Sequence, residues 1–171
     1  MAEAASGENV WTWEMFEEGQ ASPPMTVKVT RESIANYAKS VLNNNPIYID
    51  DRAAQAEGFQ SVTVAPTMAF QYAPMQRGEL FNERGYLAPE QGKQPRSTPQ
   101  VGAEFFFQDV PIYPGDEITS VTTVHRIWES RSGNKFVSFR VVGHNQRDQK
   151  VCNYLYNIIW EYARGQKSRK P

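Results

Sequence analysis

Few side chains in this 171-residue sequence can do chemistry, and the most suggestive of them fall in one short stretch, Asn43-Asn44-Asn45-Pro46-Ile47-Tyr48-Ile49-Asp50. The amides of Asn43 and Asn45 can hold a carbonyl or a water, and the Tyr48 phenol can donate a hydrogen bond. The same residues suit a helix stop with an Asx turn, because Asn tolerates turn geometry and the residue before a proline avoids the helical region. Tyr48 equally suits a buried ring with its hydroxyl outward. The two histidines, His125 and His144, lie far away in segments that alternate like strands. Neither has a carboxylate cluster or second His at ligand spacing, so no metal is expected. Cys152 is the single cysteine. It cannot form an internal disulfide and has no basic neighbour in sequence to stabilise a thiolate, so it reads as a buried structural thiol in a reducing, cytoplasmic protein.

Composition narrows the classes further. Hydrophobic residues make up 40% and charged residues 22%, ordinary for a folded chain of about one domain. Eighteen basic against nineteen acidic residues give a net charge of −1, which supplies no general field for a polyanion; a nucleic-acid partner is not expected. Met1 to Asn9 carries Glu3 and Glu8 and no apolar run, unlike a secretory signal or transit peptide. The most apolar late stretch, Asn153 to Trp160, is far short of the roughly 20 residues that cross a bilayer, so no membrane span is expected.

The elements that must position these residues divide the chain in two. Residues 1–24 read as a partly ordered arm with Trp11, Trp13 and Phe16 as anchors, residues 25–163 as one domain, and residues 164–171 as a basic tail. Met25 to Thr30 is a β-branched strand; Thr30 then caps an amphipathic helix over Arg31 to Leu42, with Ile34, Tyr37, Ala38 and Val41 on one face. Asp50 caps a short helix that Gly58 ends. Ser61 to Ala65 is extended, and Pro66 opens a helix through Met68, Phe70 and Tyr72 toward Phe81, which Pro74 should kink or divide. Residues 85–100 form a long loop. Thereafter the period becomes two, giving strands over Val101 to Val110, Glu117 to Ser130, Lys135 to Gly143 and Val151 to Tyr162. Helices first and an antiparallel meander second predict an α+β fold with a helix on one sheet.

Asn45-Pro46-x-Tyr48-x-Asp50, then Ala53, Ala54, Gly58-Phe59 and Val64-Ala65-Pro66-Thr67, together with Val101-Gly102-x-Glu104-Phe105 leading to Pro111 and Gly115-Asp116, resemble the MaoC-like enoyl-thioester hydratases and dehydratases of the hot-dog fold. The resemblance covers about residues 26 to 162 and implies a bent antiparallel sheet wrapped around a central helix. It also implies an acyl-thioester substrate carried on coenzyme A or an acyl carrier, and no further cofactor. In that family an Asp and a His act on a water, and backbone N–H groups at a helix opening meet the thioester oxygen. Here the Asp position is Asn43 and the His position is Tyr48. An Asn amide takes no proton near neutrality and a phenol of pKa about 10 is a poor base. This pattern is similar to the degenerate N-terminal half of such dehydratases, which shapes the acyl tunnel while a partner half performs the chemistry. The resemblance therefore implies a homodimer, or a heterodimer with a catalytic hot-dog subunit. It assigns Asn43 and Tyr48 to the catalytic positions and Asn45, Ala65, Pro66, Thr67 and Met68 to substrate binding. A non-catalytic acyl-CoA-binding or scaffold subunit, and a self-sufficient homodimeric hydratase using Tyr48, are the alternatives. Arg77, Arg84, Lys93 and Arg96 could meet coenzyme A phosphates or an acidic carrier protein, or be merely solvated.

Overall fold

The computed structural model describes residues 9–164. Residues 1–8 and 165–171, with Lys167, Arg169 and Lys170 of the expected tail, lie outside the described residues. Five strands form one antiparallel sheet: β1 (Met25–Lys28), β2 (Gln100–Phe105), β3 (Glu117–Glu129), β4 (Lys135–His144) and β5 (Lys150–Glu161), in the spatial order β1-β3-β4-β5-β2. The period-two pattern decides which face is covered. On β4, Val137, Phe139 and Val141 are fully buried, and on β5 Tyr154, Ile158 and Trp160 point to the same core.

Among the described residues four α-helices accompany the sheet: α1 (Arg31–Ser40), α2 (Asp51–Ala56), α3 (Ala69–Tyr72) and α4 (Arg77–Asn82). The Thr30 hydroxyl accepts from the Ser33 N–H and the Ser33 hydroxyl accepts from the Thr30 N–H, so the predicted start of α1 is a capping box. Its end is less ordinary. Leu42 occupies the left-handed position that glycine usually takes, at φ 54°, with the Asn43 N–H returning to Ala38 O. The central helical tract is divided as Pro74 predicts: a 3-10 turn at Pro66–Met68 runs into α3, the chain breaks at Ala73, and α4 follows. Gly143 of β4 lies beneath that break. A Cβ there would sit 3.2 Å from both Cys152 and Ile118 and 3.6 Å from Ala73, so its missing side chain lets helix and sheet approach.

The core has two centres along this tract. Met68, Ala69 and Tyr72 pack with Ile118, Val141 and Tyr154 at one end; Leu80 and Phe81 pack with Phe139, Ile158 and Trp160 at the other. Within the segment read as an arm, Trp11 and Phe16 enter this second centre, and Ala21 bridges Thr123 beside β1. The sheet segment expected over Val101 to Val110 is shorter than its sequence suggests. Pairing with β5 stops at Phe105; Phe106 keeps one backbone bond, to Asn153 O, before the chain turns away toward Pro111.

Candidate functional site

A cleft of about 400 Å³ opens where that departing chain, Phe105 to Ile112, faces the 3-10 turn Pro46–Tyr48, the opening of the central tract, and Val151 to Asn153 of β5. Main-chain hydrogen bonds fix its walls. Thr63 N–H donates to Ile47 O at 3.3 Å, Val64 N–H to Ile112 O at 3.0 Å, and the Thr63 hydroxyl to Ile112 O as well. One carboxylate ties the surrounding elements together. Asp51 of α2 accepts from the Val62 N–H at 2.9 Å and pairs with Arg31 of α1, while its neighbour Asp50 caps α2 by accepting from the Ala53 N–H. The Val62 N–H first, and Arg31 second, hold its carboxyl below the usual range. Gly58, at φ 89°, ends α2 with its N–H on Gln55 O and the Phe59 N–H on Ala54 O, which turns Phe59 into the cleft.

The floor is neutral. Tyr72 and Cys152 are buried and hydrogen-bonded to each other; burial pushes the phenol well up and the thiol up to about 12. The walls are aromatic and aliphatic, with Phe59 on one side and Phe105, Phe106 and Phe107 on the other. Phe106 and Phe107 remain 43% and 70% exposed, on the continuation of an edge strand. Among the described residues no three His, Cys, Asp or Glu side chains converge as a metal site would need.

Of the residues singled out in the sequence, Tyr48 and Pro66 line the cleft. Asn43 and Asn45 do not. Asn43 Oδ1 accepts from the Asn45 N–H and Asn45 Oδ1 from the Ile47 N–H, two successive Asx turns that hold Tyr48 in place. Ala65 is buried beside the opening, Thr67 is exposed, and Met68 belongs to the core. Pro66 has no N–H and the Met68 N–H donates to Ala65 O, which leaves Thr67 to supply the remaining donor of that turn. Of the bases flanking the long loop, Arg77 pairs with Glu90, Arg96 pairs with Glu161, and Arg84 lies over the Trp11 ring. His125 is exposed and His144 half-buried on their strands, and neither reaches the cleft. The aromatic wall and Asp109 were missed in the sequence. The signal was present: three consecutive phenylalanines cannot all face one side of a strand.

Residues 18–154 match the family described as FAS1-like, dehydratase domain region. The chain belongs to that family. A UPF0336 protein of Streptomyces avermitilis is 28% identical to this dehydratase-region chain over 142 residues, covering 82% of it and 90% of the relative. Among solved structures, the MaoC-like dehydratase from Rhodospirillum rubrum superposes with a TM-score of 0.62 at 19% identity, over 87% of this chain and 96% of that one. The C-terminally truncated HadBC (3R-hydroxyacyl-ACP dehydratase) complex from Mycobacterium tuberculosis gives 0.63 at 19%, over 83% and 96%. These likenesses establish the hot-dog fold of this dehydratase-region chain.

Proposed function

We propose that the chain is the acyl-thioester-holding subunit of a hot-dog hydratase or dehydratase pair, acting on 2-enoyl or 3-hydroxyacyl thioesters of coenzyme A or an acyl carrier in the cytoplasm. The observation that carries this reading is the cleft between Tyr48, the Pro66 turn and the Phe105–Ile112 chain, which is apolar enough for an acyl group; the exposed Thr67, next along that turn, would offer its N–H at the cleft's edge to the carbonyl oxygen. Hydration adds a water O–H across the double bond, hydroxyl to C3 and hydrogen to C2. It needs a base for the water and an acid for C2. Asn43 cannot be that base, because its amide is not basic and its oxygen is spent on the Asn45 N–H. The central tract is also interrupted after α3, so the field at its opening is weaker than that of an unbroken helix. Both points favour positioning here and proton transfer from a partner that keeps the Asp and His. The exposed edge of β2, with Val101 at 50% exposure, and the chain beyond it, with Phe107 at 70%, suit a second hot-dog subunit that would pair with the edge and roof the cleft. The complex named for HadBC is a precedent among the structural neighbours.

The test is hydration of crotonyl-CoA and a longer 2-enoyl-CoA by the purified chain, followed as loss of conjugated thioester absorbance, with native mass measured on the same sample. The expected result is a folded chain without turnover that gains it when an Asp/His-bearing hot-dog subunit is added. Turnover by the homodimer alone would overturn the division of labour and make Tyr48 the first residue to replace. Asn43→Asp combined with Tyr48→His is expected to leave the isolated chain without turnover, because the side chain at 43 faces the Asn45 N–H and not the cleft.

A further inference from the structure

Among the described residues no lysine, arginine or histidine lines the cleft, yet Asp109 does. We propose that the site takes thioesters whose acyl group is neutral, and that Asp109 is the specificity-determining residue that turns away acyl groups ending in a carboxylate. The inference rests on the reading of the cleft as an acyl-thioester site and adds which acyl groups it accepts.

The argument is one of missing counter-charge. An acyl chain with a terminal carboxylate would surrender part of its hydration on entering walls made by Phe59, Phe105, Ile112 and Val151, and a lost hydration shell has to be replaced by a cation or by donors. Four arginines of the scaffold are engaged elsewhere, Arg31 with Asp51, Arg77 with Glu90, Arg96 with Glu161, and Arg147 with Asp116, and no other described cation lines the cleft. The floor supplies no charge either, since the Tyr72 phenol and the Cys152 thiol keep their protons. What an anionic end does meet is Asp109, on the chain between the end of β2 and Pro111, in no ion pair among the described residues. Asp109 is exposed, so it acts through solvent, and its repulsion is modest and salt-dependent. A neutral alkyl or ring-bearing acyl group meets none of these costs and gains the apolar walls.

The experiment compares two N-acetylcysteamine thioesters of equal length, trans-2-octenoyl and its ω-carboxyl analogue, whose small uncharged carrier leaves the acyl end as the sole difference. Affinities are taken from ligand-detected NMR titrations of the full chain and of Asp109→Asn at low salt and at about 0.5 M salt. The neutral ligand is expected to bind at least about fivefold more tightly to the unaltered chain. Asp109→Asn should strengthen the carboxylate ligand about threefold and leave the neutral ligand unchanged, and high salt should narrow the gap in the unaltered chain but not in the variant. Equal affinities, or a gap that Asp109→Asn does not alter, would overturn the assignment while leaving the cleft as a thioester site. Failure of both ligands to bind would overturn the reading of the cleft itself.

Discussion

The two ends of the central helical tract are built from the same sheet but finished differently. At the α4 end, Trp11, Phe16, Phe81 and Trp160 interlock, with Phe16 and Trp160 ring centroids 4.7 Å apart and edge-to-face, and Phe81 within 5.0 Å of Trp11. The N-terminal segment closes that end, its Trp11 and Phe16 rings buried in the cluster. At the α3 end the inward residues are smaller, among them Ala69, Val141, Val151 and Cys152, and the covering chain departs from the sheet at Phe105, so a cleft remains. One sheet can thus devote one end to stability and the other to binding, provided the covering chain leaves it at the second.

That contrast can be broken or sharpened by measurement. Phe81→Ala, at a fully buried ring of the closed end, is expected to cost about 3–5 kcal/mol in urea unfolding, whereas Tyr48→Ala, a half-buried ring at the open end, should cost about 1 kcal/mol. Equal costs would abolish the distinction. Cys152 probes the open end's floor. With the thiol pushed up to about 12 and buried, its reaction with a thiol reagent near neutral pH should be at least about a thousandfold slower than that of a free thiol; rapid labelling of the native chain would show that the floor opens. Leu42→Gly, at the left-handed end of α1 that supports the Asn43 turn, should stabilise by about 0.5–1 kcal/mol, because the side chain is 84% exposed and its φ is positive. The smallest effect is expected at the loop pinned to the closed end. Burial pushes the Glu90 carboxyl up, but the Thr98 hydroxyl and the Arg77 guanidinium outweigh it and hold it below the ordinary value of about 4.5. A carboxyl lowered on folding stabilises above its unfolded pKa and loses that contribution as pH falls through its folded value. Glu90→Gln should therefore flatten the loss of stability below about pH 4.5 and leave the shape of the curve above pH 6 unchanged, as followed by thermal unfolding across pH.

Legibility in the sequence followed the range of the interactions involved. Caps at Thr30 and Asp50, the glycine stop at Gly58 and the division at Pro74 are local, set by residues within four positions of one another, and each is found where the sequence puts it. The strands β3 to β5 were equally readable from alternation. The cleft was only half legible. Tyr48 and Pro66 could be named from a motif, but whether Asn43 faces a ligand or a turn depends on which acceptor its neighbours need, and the Asn45 N–H decides it. The wall from Phe105 to Asp109 was read as strand because β-propensity does not encode where pairing stops; that is set by Asn153 on a strand some fifty positions later.

The ring pair Phe16 and Trp160 also bears on how the chain comes to be folded. A ribosome releases Trp11 and Phe16 more than a hundred positions before Phe139, Ile158 and Trp160, which enclose them. Until β5 is synthesised, Phe16 lacks its nearest ring partner on the sheet. The closed end is therefore completed by a contact that spans nearly the whole described chain, and contacts of such sequence separation are those that slow a domain's folding.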